Sequence, residues 1–139
     1  MVRRLFPLAL PLALCAMAQS PEIYKTRLAP VAIDKAMGTR VTGSGMAEAS
    51  LAGSKLIVSG SFEGLSSPAT AAHIHQGSMT GVRGPVALNL TVTKAEAGKI
   101  SGAFDLTPEQ IESLKQGKWY VQIHSEKAPE GNLWGWLLK

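Results

Sequence analysis

From Thr39 to the C-terminus, short apolar-rich segments alternate with turns carrying glycine and serine. Their spacing, roughly 8 to 12 residues, is that of an all-β domain and leaves room for little else. TRVTGSGMAEASL opens the series, and KLIVSGSFEGL follows with Leu56, Val58 and Phe62 as core candidates. TAAHIH, GPVALNLTVT, KISGAFDL, KWYVQIH and NLWGWLLK complete it. One helix is expected, over about residues 108–116. Thr107 can cap it while Gln110 reaches back, Pro108 suits its first position, and Gly117 ends it. Ile111 and Leu114 give it a narrow apolar stripe for docking.

The N-terminal region reads differently. Arg3 and Arg4 precede an apolar run from Leu5 to Met17 and small residues at Ala16 and Ala18. That is the layout of a secretory signal peptide, so residues 1–18 are expected to be cleaved after Ala18, leaving a secreted or periplasmic protein. A lipid anchor at Cys15 ranks lower, because Leu14 is bulky where that peptidase prefers a small residue. Residues 19–38, with two prolines and weak patterning, read as a flexible leader before a domain at 39–139. Without Arg3 and Arg4 the net charge falls from +4 to +2, too little for a nucleic-acid footprint. The sole cysteine leaves with the signal, so no disulfide supports the remainder.

The candidate site is carried by the chain's three histidines. Side chains two apart on a strand share a face. In TAAHIHQ, His73 and His75 therefore oppose Ala72 and Ile74; in WYVQIHS, Tyr120, Gln122 and His124 oppose Trp119, Val121 and Ile123. With the apolar sets inside, all three imidazoles point outward, and they converge if the two strands are neighbours. Neutral imidazole nitrogens suit copper or zinc at ~2 Å. An H-x-H pair plus one histidine from an adjacent strand makes a three-coordinate site with an open position. Tyr120, Gln122, Glu126 or Met79 are candidates to complete it. On spacing alone, ordinary surface histidines are the stronger reading.

The remaining motifs are structural. Gly77, Gly81 and Gly84 shape a loop after the histidine pair, but their spacing is not that of a phosphate-binding loop. Arg83 reads as a solvated cation. Pro129, Glu130, Gly131 and Asn132 read as a turn. Trp134 and Trp136 share one face of the last strand, where core packing is the leading explanation and a partner-binding patch the runner-up. No G-x-S-x-G elbow or carboxylate pair appears, so catalysis is not the favoured reading.

AAHIHQGSMTGVRGPVALNL together with LKQGKWYVQIHSEKAPEGNLWGWLL resembles the CHRD domain, a family named from chordin and widespread in secreted microbial proteins. The family shows A-H-I-H-x-G, a Gly-Pro entering a strand, and Y-V-N-x-H-T followed by G-E-[IL]-R-G. Here Asn132-Leu133-Trp134-Gly135 stands for Glu-Ile-Arg-Gly, and Gln122 and Ser125 replace Asn and Thr. The resemblance implies an immunoglobulin-like or superoxide dismutase-like antiparallel Greek-key β-sandwich over residues 39–139. It also implies a copper ion, with zinc second, on His73, His75 and His124. Three histidines are too few for the dismutase's binuclear centre. Two further readings stand behind metal handling: a cell-envelope module that binds a protein partner without metal, and a mononuclear copper oxidoreductase acting on superoxide.

Overall fold

The computed structural model describes residues 19–31 and 34–139; the expected signal peptide, with Cys15, lies outside them. Among the described residues there are eight strands: β1 (Glu22–Pro30), β2 (Ser44–Ala52), β3 (Lys55–Glu63), β4 (Ala69–Gln76), β5 (Val86–Val92), β6 (Gly98–Asp105), β7 (Trp119–Ser125) and β8 (Ala128–Trp136). All pair antiparallel, in the cyclic order β1-β2-β3-β6-β5-β4-β7-β8. The all-β expectation stands, but the expected sandwich gives way to a closed barrel. Two strands close it by changing partners along their length. β1 pairs with β2 from Glu22 to Leu28 and with β8 at Ala29 and Pro30. β5 pairs with β4 as far as Leu90 and with β6 at Thr91 and Val92.

β1 also corrects the reading of residues 19–38 as a flexible leader. Its inward positions are Tyr24, Thr26 and Leu28, with Tyr24 and Leu28 buried in the core. A buried polar-apolar mixture of this kind carries little local strand signal. The strand forms because β2 and β8 each offer a row of backbone donors and acceptors that need partners. A short 3₁₀ helix, Lys35–Thr39, follows; its Asp34 side chain accepts from the Met37 amide at 2.9 Å. Val41 and Ala128 pack with Met37 in a small satellite core.

Leu56, Val58, Phe62, Ala72, Ile74, Ile100, Trp119, Val121, Ile123, Leu133 and Leu137 fill the barrel interior. Alternation selects them: in β7, Trp119, Val121 and Ile123 face inward; in β8, Leu133 does, and Leu137 just beyond its end joins the same core. α1 (Pro108–Lys115) has the expected capping box between Thr107 and Gln110, and docks through Leu114 and Ile111. No helix among the described residues is long and apolar enough to cross a membrane.

Trp134 and Trp136 do not belong to that core. Leu133 and Leu137 occupy the inner face, which leaves the tryptophans outside. There Trp134 is nonetheless buried and Trp136 half-buried. Tyr120 stacks between His75 (ring centroids 4.9 Å, planes 11° apart) and Trp134 (5.4 Å, 5°), and Trp136 leans on it at 4.6 Å. Arg83 is exposed, as expected, and its guanidinium lies 4.7 Å over the Trp134 ring. The loop 77–85 thus rests on a second aromatic layer outside the barrel, fastened by stacking and a cation–π contact.

If β1 closes the barrel, Leu28→Ala should cost roughly 2–5 kcal/mol in urea unfolding, as for other buried leucines. The neighbouring outward substitution Arg27→Ala should stay within about 0.5 kcal/mol. A loosely attached leader would leave both variants as stable as the parent.

Candidate metal centre

β4 and β7 are neighbours, with His73 opposite Gln122, His75 opposite Tyr120, and His124 opposite Ala71. His124 is therefore diagonal to His73 on the same outward face, and its ring leans across to it. Ring centroids lie 5.0 Å apart for His73–His124, 5.7 Å for His73–His75 and 6.2 Å for His75–His124. One nitrogen from each falls within 4.8 Å of the others. The structure brings together all three histidines singled out in the sequence.

The hydrogen bonds define which nitrogens face the shared point. His75 Nδ1–H donates to the Gly84 carbonyl at 3.0 Å, and His124 Nδ1–H donates to the Pro129 carbonyl at 2.8 Å. A carbonyl can only accept, so in the neutral rings Nε2 is left as the lone-pair nitrogen of both. His124 Nε2 then accepts from His73 Nδ1–H at 3.1 Å. His75 Nε2 is buried and has no hydrogen-bond partner among the described residues. An unpartnered buried acceptor costs about 1–3 kcal/mol, so this nitrogen is a place for an ordered water or a bound ion.

These donors fit a transition metal. Three nitrogens at ~2.0–2.1 Å in a trigonal set lie about 3.5 Å apart, so the 3.1 Å His73–His124 pair is already at ligand spacing. The remaining separations, within 4.8 Å, close by ring movements of about 1 Å. The cluster contains no carboxylate, so every donor is an imidazole nitrogen. Coordination by His73 Nδ1 requires its proton to leave or move to Nε2.

The sequence candidates for a fourth ligand are otherwise engaged or remote. The Tyr120 hydroxyl donates to the Gly84 carbonyl and accepts from the Gly84 amide, both at 3.1 Å. Gln122 Nε2 donates to the Glu130 carbonyl at 2.7 Å. Glu126 is exposed in the β7–β8 turn, and Met79 is 60% exposed on its loop.

Two backbone segments supply the carbonyls, and neither was legible as part of a site. Residues 129–132 do not form the expected turn, which lies at Glu126 and Lys127. They form a bulge in β8, since pairing resumes from Ser125–Ala128 to Ile123–Leu133 with only His124 opposite. The bulge folds back over the outer face and carries the Pro129 and Glu130 carbonyls to β7. Gly131 permits this with φ +135°, and a Cβ there would collide with the Gln122 amide nitrogen. Gly84 is held just as closely against the Gln76 carbonyl. A glycine in each segment was the available signal; the carbonyls themselves leave none in a sequence.

Burial is the main cause that lowers the His73 pKa, with His124 and His75 adding to it. Burial likewise lowers that of His75, opposed by the Gly84 hydrogen bond and assisted by His124 and Arg83. Both rings are therefore neutral near pH 7.

The arrangement defines a class: a small antiparallel barrel with a three-histidine cluster on its outer surface. The chain belongs to the CHRD domain family, whose model matches residues 29–137. The match begins within β1 and so includes part of the segment read as leader. No curated protein and no solved structure matches the chain.

Lowered histidine pKa values fix the sign of the pH dependence. As pH falls through about 6.5, the unfolded chain binds protons that the folded His73 and His75 refuse, so metal-free stability falls. Thermal unfolding from pH 7.5 to 5.5 should show Tm dropping, with a shallower slope in the His73→Gln, His75→Gln double variant. A Tm that rises on acidification, or an unchanged slope in that variant, would contradict the assignment.

Proposed function

We propose that this CHRD-domain protein binds one transition-metal ion through His73, His75 and His124 and acts in metal handling outside the cytoplasm, after removal of a signal peptide at residues 1–18. The observation carrying this is the buried, unpartnered Nε2 of His75, in a cluster whose other members sit within coordinating distance. Copper is favoured over zinc. Nitrogen donors bind divalent copper most tightly among the first-row ions, and no thiolate or carboxylate in the cluster redirects that preference. A bound ion would supply Lewis acidity or one-electron chemistry at an open position. The polypeptide contributes orientation: it presents two Nε2 lone pairs and keeps His73 and His75 neutral.

A second reading is supported by an apolar groove of about 380 Å3 beside the aromatic layer, lined by Val31, Gly81, Arg83, Trp134, Gly135 and Trp136. Such a groove suits an envelope protein partner, and in that case the histidines only hydrogen-bond across strands. Superoxide chemistry at the metal ranks third. The chain's three histidines preclude a four-histidine copper centre with a separate zinc site.

Competition titration with a coloured chelator separates these readings. The metal-free protein should take up one equivalent of copper(II). His75→Ala and His124→Ala should each weaken binding by more than tenfold, with zinc bound less tightly than copper. Undiminished affinity in His124→Ala would remove the convergent site, and lack of uptake by the parent protein would leave the partner-binding reading.

A further inference from the structure

Three residues alternate along the outward face of β7: Tyr120, Gln122 and His124. The first two are almost completely buried although they face away from the core, and their polar atoms go to backbone rather than to solvent. We propose that Tyr120 and Gln122 are positioning residues, each pinning the loop whose carbonyl fixes the tautomer of one histidine, so that His75 and His124 both present Nε2.

The two arms have the same construction on different loops. Tyr120 holds Gly84 at two points, the hydroxyl donating to its carbonyl and accepting from its amide. That same carbonyl accepts His75 Nδ1–H. The Tyr120 ring also stacks on the His75 imidazole, so one side chain sets both the ring plane and the proton position. Gln122 holds Glu130, next to Pro129, whose carbonyl accepts His124 Nδ1–H. Gly131 keeps the space that the Gln122 amide occupies. The opposing forces are local. Unpinned, each loop carbonyl has water as an alternative partner, and a neutral imidazole in water exchanges freely between tautomers.

Outer partners of this kind orient ligands and raise their basicity; losing one typically costs about 10–100-fold in metal affinity. The affinity consequence rests on the metal reading above, whereas the tautomer consequence does not.

Long-range proton–nitrogen correlation spectra of the metal-free protein at pH about 8, where imidazoles are neutral, read the tautomers directly. In the parent protein both His75 and His124 should be Nδ1–H. Tyr120→Phe, which keeps the stack and removes the hydroxyl, should turn His75 into a tautomer mixture and leave His124 alone. Gln122→Met should do the reverse, and Gly131→Ala should reproduce the Gln122 effect. Copper(II) affinity should fall about 10–100-fold in each variant. An Nε2–H tautomer at either histidine of the parent protein overturns the proposal, whatever the variants do. So does a folded variant with both tautomers intact, or one that disturbs both histidines alike. If the tautomers respond as stated but the parent protein takes up no copper, positioning stands and the metal reading falls.

Discussion

The pairing of β4 with β7 turns two separate alternating patterns into one surface. In each strand the inward residues are held by the barrel core: Ala72 and Ile74 from β4, Trp119, Val121 and Ile123 from β7. Burying those side chains fixes the register, because a slip of one residue would put imidazoles inside and isoleucines outside. With the register fixed, His73, His75 and His124 have nowhere to go but the same outer patch. The core therefore places the site without touching it.

What lies above that patch makes it more than a group of surface histidines. Loop 77–85 and the bulge at 129–132 cover it from two sides, which is why Tyr120 and Gln122 are buried on a face that points outward. The cover lowers the His73 and His75 pKa values through desolvation and supplies carbonyls that leave the lone pairs of His75 and His124 on Nε2. The barrel fixes where the rings start; the loops determine which atom each ring offers.

Much of this was legible because it depends on local periodicity. The H-x-H pair and the β7 alternation need only a period of two, and the helix announces itself through Thr107, Pro108 and Gln110. β1 was not legible: Tyr24, Thr26 and Leu28 form a mixed inward face, and the strand exists because β2 and β8 require a partner between them. Without β1 there is no closure; the sandwich was expected from the family resemblance, and the closed barrel is the outcome. Along β8 and the residue after it both faces are apolar, and alternation could not choose between Leu133 and Leu137 on one side and Trp134 and Trp136 on the other. Gly135 decides it, since Thr26 and Arg27 of β1 press against that inward position and leave no space for a large side chain. The hydrogen-bonding carbonyls of Gly84 and Pro129 depend on loop paths, which no residue pattern encodes.

X-ray absorption at the metal edge of the copper-loaded protein addresses the central claim most directly, because it counts imidazoles on the ion. Three imidazole nitrogens at about 2.0 Å are predicted, with multiple-scattering features from three rings. One imidazole or none, or a shell dominated by carboxylate oxygen, would mean that the three rings do not share an ion.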